Sequence, residues 1–418
     1  MSNTLKPGDV FVPGQFPIEE SNAYADRGTP QKDTATALRR GYVPLVYGGY
    51  GVGKSSMVAR VAKSFEHENK LVYVETVYAK SLDAIFKQVL EALGYEVTVQ
   101  RTTQNNNKTT SSVGTEVEGG VFQVLKAKVK GGLSKSREDN QTIVNELVVT
   151  SPTESKIIDV CEENGILLII DELHRADQSL TNDLSAFLKA YANKNCKKFK
   201  IALLGTENEA SRLVISDPGT DRLLEEISLP PLSALEAEEI ISTGFPRLEI
   251  AVSQEVKDDL VKYSVGSPFV LQFLCLEVSE ASEEESKRPI RYEDIEVALK
   301  NYARRKAQRL IREYRAAIET SGDKRYRKQI LLAMANSDDE YVTMEFLVEE
   351  ISKSLGESVP ATALSGPLRA LKTEKYGSIL RDVENPAGGG RLSNYSGFSD
   401  PAMKAIIRMV EASPVAIG

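Results

Sequence analysis

Residues 47–57 read YGGYGVGKSSM, a glycine-rich turn entered from the apolar run VPLVY (43–47) and left through the helix-like MVARVAKSF (57–65). Gly48-Gly49-Tyr50-Gly51-Val52-Gly53-Lys54-Ser55 satisfies G-x-x-x-x-G-K-[ST] in full. Its glycines let the backbone curl so that N–H groups face a triphosphate, and the positive end of the following helix points at the same anions. Lys54 is expected to bridge the β- and γ-phosphates and Ser55 to offer its hydroxyl to Mg²⁺; Tyr50, Val52 and Ser56 complete the expected nucleotide contacts.

Such a loop needs a carboxylate at the end of a neighbouring buried strand, and Ile166-Leu167-Leu168-Ile169-Ile170-Asp171-Glu172 supplies two. Adjacent acids at a sheet end repel unless a cation or water sits there. Asp171 is assigned to the Mg²⁺ shell and Glu172 to orienting or deprotonating the attacking water. Beyond the next apolar run, GTEN (205–208) offers Thr206 and Asn208; either holds the water or senses the γ-phosphate, unless the cluster only makes a turn. Arg222 reads as an arginine finger serving a neighbouring subunit or as an ordinary surface arginine. His174 and Arg175, beside the acids, stay open in the same way, since a lone His after a strand more often packs than catalyses.

The surrounding pattern predicts a parallel α/β sheet. Short β-type runs at 43–47, 71–76, 165–172 and 199–206 alternate with helical periods at 30–40, 54–67 and 80–93, the last stopped at Gly94. A polar stretch at about 100–150 interrupts them. It reads as a surface insertion whose FQVLKAKVKGGL part forms one or two strands, or as a loop that touches a partner. After Leu229-Pro230-Pro231-Leu232 the strands stop and helices take over. The expected organisation is an α/β core over 1–230, a helical lid over 231–322 and a winged helix over 323–418, with helices at 327–336, 343–354 and 360–373 before two strands and a helix from Pro401.

Composition narrows the partners. Among 418 residues, 52 Lys and Arg against 60 Asp and Glu give a net charge of −8, so no global attraction to nucleic acid or anionic lipid is expected. Cys161, Cys196 and Cys275 lack metal-ligand spacing and read as buried free thiols in a reducing cytoplasm. Neither a leader nor a membrane span is expected.

The order GGYGVGKSS, LLIIDELHRAD, IALLGTEN, LPPLSALEAEEII and VGSPFVLQFL resembles the AAA+ ATPases, initiator-type members included, and their relatives the STAND signalling ATPases, over roughly residues 10–320. The resemblance implies ATP as the nucleotide, with Mg²⁺, and self-association through the ATP site. It implies that Pro268 of Gly266-Ser267-Pro268 lies against base and sugar, and that Tyr24 and Arg27 of the entrance segment lie by the adenine. The sequence departs from standard AAA+ members in having no evident lid arginine near Gly266. Two outputs stay open at this point: a switch that controls a partner protein in defence or signalling, or an ATPase that loads onto DNA through the basic segment 300–328. That segment also reads as a solvated face balancing the acidic run Glu280–Glu285.

Overall fold

The computed structural model describes residues 5–101, 112–113, 122–127, 145–149, 154–206, 213, 218–285, 288–319, 326–337, 339–383, 395–400 and 402–412. The chain divides into two compact units. One comprises Gly28–Gly48 and Met57–Ser228; the other comprises Met1–Arg27, Gly49–Ser56 and Leu229–Gly418. The glycine loop therefore clusters with the helical half of the chain, although the strand before it belongs to the sheet.

The first unit is built on a five-stranded parallel sheet. In chain order its first elements are α2 (Thr29–Arg40), β1 (Val43–Tyr47), α3 (Lys54–Lys63), β2 (Lys70–Glu75) and α4 (Leu82–Ala92), where α1 is the short Pro7–Val10 turn of the other unit. After the insertion come α5 (Glu154–Glu163), β7 (Ile166–Asp171), α6 (Gln178–Lys194), β8 (Lys200–Gly205) and β9 (Leu224–Ser228). The spatial order is β2-β7-β8-β1-β9. Every residue of β7 and of β8 is buried, as expected for strands covered by helices on both faces. Gly41 in the left-handed region ends α2, and the Ser81 hydroxyl caps α4, whose Leu82, Ile85, Phe86, Val89 and Leu90 form the buried stripe.

Two elements of this unit were not foreseen. The edge strand β9 is only half covered, with Ile227 as its one buried residue, so it carries little apolar signal. The insertion opens with β3 (Tyr95–Arg101), where the sequence reading had the helix stop and polar loop follow; alternation of Tyr95, Val97 and Val99 with Glu96, Thr98 and Gln100 is the strand period. With β4 (Ser112–Val113), β5 (Phe122–Ala127) and β6 (Asn145–Val149) it makes an antiparallel sheet in the order β4-β3-β5-β6. The expected strand in FQVLKAKVKGGL is thus present over 122–127.

The second unit has one continuous core. Helices α7 (Ala234–Arg247), α8 (Gln254–Ser264), α9 (Pro268–Glu284), α10 (Tyr292–Lys306) and α11 (Gln308–Ile318) follow LPPL. Ser233 and Glu236 close a capping box on α7 and Ser267 caps α9, which buries Val270, Leu271, Phe273, Leu274, Cys275 and Val278. Phe11 of the N-terminal segment packs against Phe245 at 5.0 Å between ring centroids. Then α12 (Tyr326–Asn336), β10 (Tyr341–Val342), α13 (Met344–Leu355), α14 (Ala361–Leu371), β11 (Leu380–Val383), β12 (Tyr395–Phe398) and α15 (Ala402–Ala412) follow, with the three strands antiparallel in the order β10-β12-β11. The three helices, two strands and final helix expected from the sequence lie within a few residues of their expected bounds, and β10 is an addition. Gly397 leaves room for a close neighbour, because a Cβ there would lie 2.8 Å from the Tyr341 ring and force it to shift.

Among the described residues no helix is long and apolar enough to cross a membrane. The cysteines are free, Cys161 and Cys275 buried and Cys196 half-buried, a partial correction to the expectation of three buried thiols. Burial pushes the Cys161 thiol up to about 12.

Candidate functional site

The glycine loop lies between β1 and α3, whose first residue is Lys54, so the helix N-terminus opens at the loop as the motif requires. Gly51 (φ 75°) and Gly53 (φ 94°) occupy the left-handed region. A Cβ on Gly53 would also meet Cγ of Pro268 at 3.2 Å, so both backbone and space demand glycine there. Pro268, at the first turn of α9, is thus packed on the loop. Lys54 Nζ donates to the Gly49 carbonyl at 2.8 Å and lies 5.9 Å from the centroid of the exposed Tyr50 ring. Val52 is buried, Ser55 and Ser56 are half-buried, and Tyr24 is half-buried in the entrance segment.

Arg27 is a buried cation that donates from all three of its nitrogens. Its guanidinium donates through Nε to Glu236 at 2.8 Å, through Nη1 to the Val52 carbonyl at 2.8 Å and through Nη2 to the Pro230 carbonyl at 2.6 Å. One buried side chain therefore holds the glycine loop, the LPPL segment and the first turn of α7. Burial works against the charge of Glu236, but the Ser233 N–H and hydroxyl and the Arg27 guanidinium outweigh it and hold the carboxyl below its usual range.

Next to the loop, Val52, Leu232, Ala237, Phe398, Lys404 and Arg408 line part of a cavity of about 620 Å³. Arg408 of α15 donates to the Ala335, Lys262 and Ser337 carbonyls at 2.6, 3.3 and 3.2 Å, joining the C-terminal elements to the end of α8.

In the sheet unit, Tyr47 pairs with Gly205, Ile170 with Leu203 and Glu75 with Asp171, so the C-terminal ends of β1, β8, β7 and β2 share one sheet edge. Asp171 is 3% exposed and accepts from the Tyr73 hydroxyl on Oδ2 and from the Glu172 N–H on Oδ1 at 2.6 Å. Glu172 has φ 61° and ψ 32°, an uncommon conformation for a non-glycine residue, and begins the 3₁₀ turn Leu173–Arg175. The Thr76 hydroxyl donates to its carbonyl at 2.6 Å, and His174 Nε2 lies 3.3 Å from its carboxylate. Burial, then the charges of Asp171 and Glu172, push the Glu75 carboxyl up. The sequence reading missed Tyr73, Glu75 and Thr76; the available signal was their place at the end of a strand in register with the acidic one.

The remaining candidates are scattered. Thr206 is half-buried just past β8, and Asn208 lies outside the described residues. Arg222 is exposed just before β9, and Leu224 pairs with Val43, so it sits at the N-terminal end of the sheet, opposite the edge that carries Asp171. In the segment 300–328, Arg305 pairs with Glu277, Arg309 with Glu313 and Asp400, and Lys328 with Glu411, all within 2.8 Å.

The model of the KAP family P-loop domain matches residues 33–204, from α2 through most of β8 and thus across both the glycine loop and the acidic strand. The fold is that of a P-loop NTPase. A Walker-type ATPase of Pyrococcus abyssi superposes on this P-loop NTPase with a TM-score of 0.51 at 14% identity, covering 94% of this chain and 99% of that one. Looser likenesses are to Cdc6p from Pyrobaculum aerophilum (TM-score 0.44, 13% identity, 95% and 97% covered) and to the Aeropyrum pernix ORC1 protein in complex with DNA (0.44, 16%, 98% and 97%). No curated protein matches the sequence.

Taken singly, the Ser55 hydroxyl and the Asp171 carboxylate are hard oxygen donors of the type that Mg²⁺ takes. Among the described residues no group of three or more His, Cys, Asp or Glu forms a dedicated cage.

Proposed function

We propose that this protein is an ATP-hydrolysing switch of the AAA+/STAND type, which self-associates with ATP and controls a partner protein. The observation that carries this reading is the Arg27 clamp. The guanidinium holds the carbonyl of Val52, inside the phosphate-binding motif, together with Pro230 and Glu236 at the start of the lid. A loop tied in this way moves its lid when it reshapes around phosphates. Arg408 extends the connection to the C-terminal elements, whose helix–strand–helix–helix–strand–strand–helix order we read as a winged helix.

In this reading the N–H groups of residues 49–55 and the start of α3 bind the phosphates, and Lys54 exchanges the Gly49 carbonyl for phosphate oxygen. Asp171 and Ser55 are the residues that would hold Mg²⁺, which would supply charge neutralisation to the phosphates, and Glu172 orients the attacking water and takes its proton. Arg222, at the far end of its own sheet, serves a neighbouring subunit.

The alternative output, loading onto DNA through 300–328, is disfavoured by the pairing of Arg305, Arg309 and Lys328 with carboxylates, which leaves fewer cations for phosphate contacts. The test is Glu172→Gln. The variant should bind ATP as the native protein does and turn it over at least 100-fold more slowly; unchanged turnover refutes the assignment. Mixing Arg222→Ala with Lys54→Ala subunits should restore part of the activity that each lacks, and no restoration removes the trans role. ATP-dependent DNA binding lost on charge reversal at Arg304 and Arg312 would favour the alternative.

A further inference from the structure

The end of β2 carries more polar chemistry than a sheet strand requires. Tyr73 is in register with Ile169, two residues before Asp171, so both side chains stand on the same face of the sheet and a tyrosine is long enough to span the diagonal. Its hydroxyl donates to Asp171 Oδ2 while the Glu172 N–H takes Oδ1. Each carboxylate oxygen thus accepts from a protein donor. Thr76, 1% exposed, binds both residues of the acid pair: its N–H donates to the Asp171 carbonyl at 3.1 Å and its hydroxyl to the Glu172 carbonyl at 2.6 Å. The Arg175 N–H shares that Glu172 carbonyl at 2.8 Å. These bonds hold Glu172 in a left-handed conformation that side chains such as glutamate otherwise avoid.

We infer that Tyr73 and Thr76 are positioning residues for the acid pair, Tyr73 acting through Asp171 on the metal and Thr76 acting through Glu172 on the water. The inference rests on the function proposed above. Two different failures follow from removing them. Without the Tyr73 hydroxyl the buried carboxylate loses the donor that fixes its orientation, and loss of a partner of this kind costs about 10–100-fold in metal affinity or activity. Without the Thr76 hydroxyl, the Asp171 carboxylate keeps its bonds to the Tyr73 hydroxyl and the Glu172 N–H, and the Glu172 carbonyl is left with the Arg175 N–H.

The experiment uses the full chain and a fluorescent N-methylanthraniloyl ATP analogue, with Mg²⁺ titrated at fixed analogue concentration. Tyr73→Phe should raise the Mg²⁺ concentration at half-saturation by about 10–100-fold while analogue binding without Mg²⁺ stays as in the native protein. In an Asp171→Asn background the same change should add nothing. Thr76→Val should lower kcat at least tenfold with KM and the Mg²⁺ midpoint unchanged, and Thr76→Ser should restore it. A native Mg²⁺ midpoint in Tyr73→Phe, an additive loss on Asp171→Asn, or a native kcat in Thr76→Val overturns the corresponding assignment. Native protein whose analogue binding ignores Mg²⁺ overturns instead the proposed function, before either variant is read.

Discussion

Replacing Arg27 by methionine keeps the length of the side chain and removes its bonds to Glu236, Val52 and Pro230. The native side chain is 3% exposed and Glu236 22%, so water cannot readily replace what is lost. Val52 and Pro230 lose a donor to their carbonyls, and Glu236 is left as a half-buried charge without its cation. Breaking a buried pair from one side costs about 3–5 kcal/mol. At about 2–4 °C per kcal/mol for a unit of this size, the melting temperature of nucleotide-free protein should fall by about 6–20 °C. Differential scanning fluorimetry reads the shift directly. Adding Glu236→Gln should recover part of the loss, because glutamine still closes the capping box with Ser233 and carries no charge to leave uncompensated. A fall of less than about 3 °C, or strict additivity of the two substitutions, refutes the clamp.

Gly266→Ala should destabilise by at least about 1–3 kcal/mol, because its φ is 71° and the new Cβ would lie 2.8 Å from the Leu232 carbonyl; urea unfolding reads it. Gly53→Ala is strained by its φ of 94° and meets the Pro268 ring at 3.2 Å and the Arg27 guanidinium at 3.6 Å, inside the phosphate loop, so affinity for the ATP analogue should fall as well as stability. Glu75→Gln should raise the melting temperature at pH 8, because burial and the neighbouring acids disfavour the ionised carboxylate; the gain should vanish as the pH falls below the unfolded value of about 4.3. Asp294 runs the other way. The Arg288 guanidinium, acting against burial, holds its carboxyl below the usual range. Its contribution is present above the unfolded value of about 3.9 and is lost as pH falls through the folded one, so Asp294→Asn should be less stable than native protein at pH 7 and converge with it in acid.

The glycine loop and IIDE were legible because their chemistry is local: a phosphate cradle is a run of consecutive residues, and a fully buried strand is a run of apolar ones. Tyr73 and Thr76 were not legible, since what matters is the register of β2 on β7, about a hundred residues later in the chain. Arg27 was placed near the nucleotide by resemblance alone, and its three acceptors come from 25 to 209 residues away. Edge strand β9, half exposed and with two glutamates, has no apolar period to read.

The position of β1 has a consequence for biosynthesis. This strand leaves the ribosome well before its two neighbours in the sheet, residues 200–205 and 224–228. Until both have been made, VPLVY offers two unpaired apolar edges, the surface on which chains join one another. Loop closure over such separations is slow, and α2 and α3 are the elements at hand to shield it meanwhile. Chains truncated before residue 224 should therefore aggregate, because the sheet that covers both edges of β1 is completed only by its fifth strand.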